Sequence, residues 1–193
     1  MKKSTGVKLT SKLVEAELDR VEYQTKYFKL LKNTIFSLIV VASVSTIIAT
    51  FLLSVLEING SSMNPTLNEG QIVLAFKSES VERNDLIAFY QGNKILVKRV
   101  IALQGDYVTI TEDGDVYVNQ VLVNEPYVDA KSLGNSNIEY PFQVPDDSYF
   151  VLGDKRDTSI DSRNSTIGTI SDDDVIGKVK LGIWPLNKLG ILK

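Results

Sequence analysis

Residues Asn33–Leu56 read NTIFSLIVVASVSTIIATFLLSVL, an apolar run without one charged side chain. A helix of ~20 such residues spans the ~30 Å hydrocarbon core of a bilayer, so this run is long enough to cross as one helix. A cleavable leader would carry an apolar stretch of ~7–15 residues, which the run exceeds. A helix buried in a soluble core is the other reading that the composition allows. Lys26, Lys29 and Lys32 stand just before the run, and Glu57 and Glu69 follow it. The cations predict a cytoplasmic N-terminal side, with the remainder of the chain outside. Residues 1–32 are mixed in charge, with Leu9, Leu13, Leu18 and Val21 at loosely helical spacing, as in a solvated tail with some helical character.

The rest of the 193-residue chain leaves room for one ordinary domain, and an apolar fraction of 44% is enough to give it a core. Two absences narrow its chemistry. Without cysteine there are no disulfides, thiolate zinc sites or cysteine nucleophiles. Without histidine there is no Ser-His-Asp triad and no HExxH zinc site. No metal site and no cofactor are expected. A net charge of −3 gives no basic stripe for nucleic acid, and none is expected as a partner.

From Ile58 the texture becomes short β-type runs: Ile72–Phe76, Leu86–Tyr90, Ile95–Leu103, Tyr107–Ile110, Val116–Val118, Tyr149–Leu152 and Val175–Ile183. Turn formers such as Gly92-Asn93, Asp113-Gly114 and Pro145-Asp146 separate them, and only short segments could be helical. The pattern predicts an all-β extracytoplasmic domain behind one N-terminal transmembrane helix.

Three segments could carry chemistry. Gly60-Ser61-Ser62-Met63-Asn64-Pro65-Thr66-Leu67 is rich in turn formers. It is either a linker turn or a tight turn presenting a serine beside free backbone N–H groups. A serine hydroxyl needs an adjacent base, and with histidine absent lysine is the natural candidate, provided burial lowers its pKa. In Lys94-Ile95-Leu96-Val97-Lys98-Arg99-Val100-Ile101, a period of two puts Lys98 with Leu96 and Val100, and Arg99 with Val97 and Ile101. One of these cations is expected to point inward. Arginine does not lose its proton, so an inward base would be Lys98; a snorkelling surface lysine is the alternative. Gly153-Asp154-Lys155-Arg156-Asp157-Thr158-Ser159-Ile160-Asp161-Ser162-Arg163 lacks the spacing of a calcium loop and reads as a turn tied by Asp–Arg pairs. Its Ser159 could orient a buried amine. Asp172-Asp173-Asp174 reads as a solvated loop.

Together these segments resemble the type I signal peptidases (leader peptidases), in the small single-span form of Gram-positive bacteria. The resemblance rests on Ser62-Met63-Asn64-Pro65-Thr66-Leu67, on Lys98-Arg99-Val100-Ile101 through Gly105-Asp106, and on Gly153 to Arg163, supported by Glu125-Pro126-Tyr127 and Trp184-Pro185. It implies a cytoplasmic tail at 1–32, a transmembrane helix at 33–56 and a Ser–Lys peptidase domain at 57–193 with a mainly β fold. It implies that Ser62 is the nucleophile, Lys98 the general base and Ser159 the residue that orients it. Gly60, Ser61 and Ser62 would form the oxyanion region, and Asp161 and Arg163 a structural pair near the site. The implied activity is removal of signal peptides after small residues at positions −1 and −3, through an acyl-enzyme. The implied partners are signal peptides of exported preproteins, the lipid bilayer and the secretion translocon. The implied place is the cell membrane, single-pass, with the N-terminus cytoplasmic. The sequence departs from the family at Gly60, where many relatives carry a serine, at Gln104, Lys155 and Thr158, and in a short stretch between Asp129 and Tyr140. A non-catalytic relative serving as an assembly factor for surface structures such as pili is the alternative; it would lack the serine or the lysine. A self-cleaving repressor-type Ser–Lys protease would need a DNA-binding helix pair where this chain has its apolar run.

Overall fold

The computed structural model describes residues 11–77 and 80–192. One helix, α1 (Ser11–Leu52), carries the apolar run. Among the described residues it is the helix long and apolar enough to cross a membrane. Its charged first half is helical from Ser11, with Glu17–Arg20 and Glu22–Lys26 pairs on its surface. Leu9, one of the apolar positions of the tail, lies outside the described residues.

The helix ends four residues before the apolar run does. Leu53–Glu57 forms the first strand, β1, because its backbone groups find partners in β2 (Ile72–Phe76), in register from Leu53 opposite Phe76 to Glu57 opposite Ile72. Hydropathy cannot locate such a switch, since leucine and valine suit either element. The remaining strands are β3 (Leu86–Gln91), β4 (Lys94–Ala102), β5 (Tyr107–Ile110), β6 (Val116–Val118), β7 (Val121–Leu122), β8 (Phe142–Gln143), β9 (Ser148–Leu152), β10 (Ile170–Ser171), β11 (Val175–Trp184) and β12 (Gly190–Ile191). The strands expected from sequence are all present. The short β7, β8, β10 and β12 are additions, too brief to show a period. Asp172–Asp174 forms a single exposed 3₁₀ turn.

The strands form two antiparallel sheets. The larger runs β1-β2-β11-β3-β4-β9-β10, with β12 added on β11, and the smaller runs β7-β6-β5-β8. The long central strands are buried on both faces, so their apolar residues divide between two cores. Val73, Ala75, Leu86, Ala88 and Val179 pack with Met63 and Leu67 of the β1–β2 connection. Ile87, Phe89, Val100 and Val151 pack with Ile170 on the other side. A third core joins the two sheets through Ile101, Phe150 and Leu152 against Val108, Val116 and Val118.

Two of the open strand edges lie beside the β1–β2 connection. The β1–β2 connection is anchored by the fully buried Leu67, and β4 pairs with β9 only from Arg99 onward. Lys94–Lys98 therefore keeps one edge free of β9, and β1 is an end strand of its sheet. Phe150, fully buried and tilted 5.7 Å from the Phe142 ring, joins the sheets. Phe150→Ala is expected to lower unfolding free energy by about 3–5 kcal/mol, measured by urea denaturation followed by circular dichroism.

Candidate active site

Lys98 sits on β4 at the last position before pairing with β9 begins. Its side chain is 3% exposed. The Nζ donates to Ser62 Oγ at 2.8 Å and to Ser159 Oγ at 3.0 Å. Burial pulls the Lys98 pKa down to about 8; Asp161 opposes that shift, Arg163 assists it and Asp154 opposes it. The neutral amine is thus far more accessible than in a solvated lysine, and it lies within proton-transfer distance of a hydroxyl.

The neighbouring arginine changes one expectation. Arg99 is 1% exposed, so both cations of the Lys-Arg pair are buried, on opposite faces of β4. An expectation of one inward cation presumes a strand with one wet face, whereas β4 is covered on both. Arg99 binds Asp154 through Nε at 2.9 Å and Nη2 at 2.7 Å. Its guanidinium also stacks 3.9 Å over the Tyr127 ring, and Nη1 donates to the Asn84 carbonyl at 3.0 Å. Asp154 accepts from Thr66 Oγ1 at 2.5 Å. One carboxylate therefore ties β4, the Gly153–Arg163 loop and the serine-bearing turn together.

Two more buried arginines hold that loop. Arg156 binds Glu125 at 3.0 and 2.5 Å. Arg163 binds Asp161 at 2.8 Å through both Nε and Nη2, and its Nη1 donates to the carbonyls of Ser132 and Leu133. Asp161 in turn accepts from Gly153 N–H at 2.9 Å. The expected Asp161–Arg163 pair is present; Glu125 and Asp154 as the other two carboxylate partners were missed, because long-range pairing leaves no local pattern. Gly153 has a packing reason. A Cβ there would lie 2.1 Å from Ser159 Oγ and 2.6 Å from the Ser62 carbonyl oxygen.

Ser62 lies in a turn closed by Asn64 N–H to Ser61 O at 3.0 Å and Leu67 N–H to Met63 O at 2.8 Å. Its carbonyl accepts from Lys155 N–H at 3.0 Å, which docks the turn against the loop. Gly60 adopts φ +88°, a left-handed conformation that glycine takes freely, and it brings no hydroxyl. Gly60 and Ser61 are both exposed beside the half-buried Ser62. Ser62, Lys98 and Ser159 are drawn into hydrogen-bond contact, while Gly60 and Ser61 are placed near Ser62 by chain connectivity alone.

A groove of about 410 Å³ opens onto Ser62 and Lys98. Leu56 and Ile58 line it on one side, Ile95 and Val97 on the other. These residues come from β1, the residue just after it, and the part of β4 not paired with β9.

Comparison with known proteins gives the family of the chain. The family model for signal peptidase, peptidase S26, matches residues 30–184. The class is thereby that of the serine endopeptidases, and the chain belongs to the signal peptidase family. It is 32% identical over 181 residues to signal peptidase IB of Staphylococcus aureus strain Mu50, covering 83% of this chain and 93% of that one. It is 30% identical over 164 residues to signal peptidase I of Bacillus amyloliquefaciens, covering 79% and 88%. It is 30% identical over 179 residues to signal peptidase I of Streptococcus pneumoniae serotype 4, covering 72% and 86%. A crystal structure of a signal peptidase I from Enterococcus faecalis V583 matches 52% of this chain and 97% of that chain, at 29% identity and a TM-score of 0.43.

Asp154→Ala is expected to destabilise the domain by about 3–5 kcal/mol, because it strands the Arg99 guanidinium in the interior. Removing the charge as well, in Arg99→Met/Asp154→Ala, should recover part of that loss. The double-mutant cycle is read from denaturant midpoints.

Proposed function

We propose that this chain is a membrane-anchored signal peptidase in which Ser62 attacks, Lys98 is the general base and Ser159 orients the lysine. The observation that carries the reading is the buried Lys98 amine, held between the hydroxyls of Ser62 and Ser159 in a chain without histidine. As Ser62 Oγ attacks the scissile carbonyl, its proton passes to neutral Lys98. The Ser62 backbone N–H donates to the oxyanion that forms. The lysine then protonates the leaving amine, an acyl-enzyme remains on Ser62, and water, deprotonated by Lys98, releases it.

The substrate is the signal-peptide end of an exported preprotein, lying extended in the groove between β1 and the free edge of β4. Backbone groups on those edges suit an added strand, the usual mode by which an exposed sheet edge takes a peptide. The apolar lining accepts small side chains at −1 and −3. The N-terminal tail is cytoplasmic, the domain is outside, and α1 holds the enzyme in the bilayer with its substrates. The secretion translocon delivers those substrates.

Ser62→Ala and Lys98→Ala, assayed on a preprotein in lipid vesicles, should each lose at least ~10²-fold in turnover. Near wild-type turnover in either variant would refute the assignment. The active lysine is the deprotonated one, so turnover should rise with pH through about 8, the pKa to which burial brings Lys98, and not near the 10.5 of a solvated lysine. A pH–rate profile measured between pH 6 and 10 checks this.

A further inference from the structure

We propose that Glu57 is a specificity-determining residue of the groove, favouring basic and disfavouring acidic side chains at the outward-facing substrate position that lies beside it, −2 or −4. The inference rests on the proposed function and names the substrate chemistry for that same site. Its basis is the position of Glu57 on an edge strand. β1 alternates from Ser54 onward: Leu56 packs against the core and Ile58, just beyond the strand, is buried in it, while Val55 and Glu57 are exposed on the opposite row. No register shift interrupts this strand, so the alternation holds to its end.

A peptide added along the free edge of β1 continues the sheet. Its side chains must then alternate in the same sense as those of its neighbour. Small residues at −1 and −3, placed on the row of Leu56 and Ile58, force −2 and −4 onto the row of Val55 and Glu57. Side chains on one face of adjacent strands stand ~4.5–5.5 Å apart at Cβ, close enough for their charges to interact.

Charge on the groove decides the sign. Of the residues that line it, Glu57 and Lys98 alone are ionisable, and the Lys98 amine is committed to two hydroxyls. An outward substrate side chain therefore meets one carboxylate on the β1 wall, while Lys94, exposed at the far end of the free β4 edge, is not among the lining residues. An exposed cross-strand pair of opposite charge is worth about two- to fivefold in an equilibrium, and like charges cost a similar factor.

The test uses the full chain in detergent micelles with quenched fluorogenic peptides. All carry alanine at −1 and −3 and differ only in Lys, Gln or Glu at −2 or at −4. For the wild type, kcat/KM should fall in the order Lys, Gln, Glu at one of these positions, by about two- to fivefold per step. Glu57→Lys should invert the order and Glu57→Gln should flatten it. Each comparison is a ratio within one variant, so a general loss of folding or turnover cancels, and either variant alone suffices if the other fails to fold. A flat wild-type profile, or the same order retained in both variants, would overturn the inference and leave the Ser62–Lys98 reading intact. Failure of the wild type to cleave any of these peptides would overturn that reading and the inference with it.

Discussion

The site depends on keeping one lysine dry. An amine in water at neutral pH is almost entirely ammonium and useless as a base. Lys98 escapes this because burial disfavours its charged form, and the nearby charges do not undo that effect. Asp161 and Asp154 pull the pKa up and Arg163 pushes it down, and the net shift remains downward. Each of these carboxylates is itself bound to an arginine. The carboxylates that shape the loop are thus partly neutralised before their fields reach the lysine.

Adjacent positions on β4 show how burial sorts two cations. Lys98 and Arg99 are both buried, yet burial lowers the pKa of the first while the second is clamped to a carboxylate. The difference is partnership. Arg99 meets a carboxylate along two hydrogen bonds, an aromatic face and a carbonyl, which together replace its water. Lys98 meets two neutral hydroxyls, which satisfy its donors without stabilising its charge to the same degree. The same strand therefore holds an amine of lowered pKa and a structural clamp one residue apart.

Much of this was legible in the sequence, and the gaps have physical causes. The apolar run, the seven strands expected from sequence and the three segments around Ser62, Lys98 and Ser159 all carry local signals of period, turn chemistry or residue type. The point where helix gives way to strand at Leu52 and Leu53 carries none, because pairing with β2 decides it. The burial of both Lys98 and Arg99 was equally hidden, since alternation says which residues share a face and not how many faces are covered. Glu125 and Asp154 find their arginines across 31 and 55 residues of chain, a distance no short-range pattern records.

That missed strand matters most for how the site would work. Because the apolar run ends in β1, its last residues become a wall of the groove, and an extended chain beside them would lie over Ser62 and Lys98. With a pKa of about 8, the lysine is neutral in roughly one molecule in ten at pH 7. A peptide that fills the groove displaces water from its open side, and desolvation acts on an ammonium in one direction only, lowering its pKa further. Under the proposed function, substrate binding and base activation would then be the same event: the chain to be cut would complete the burial on which its own cleavage depends.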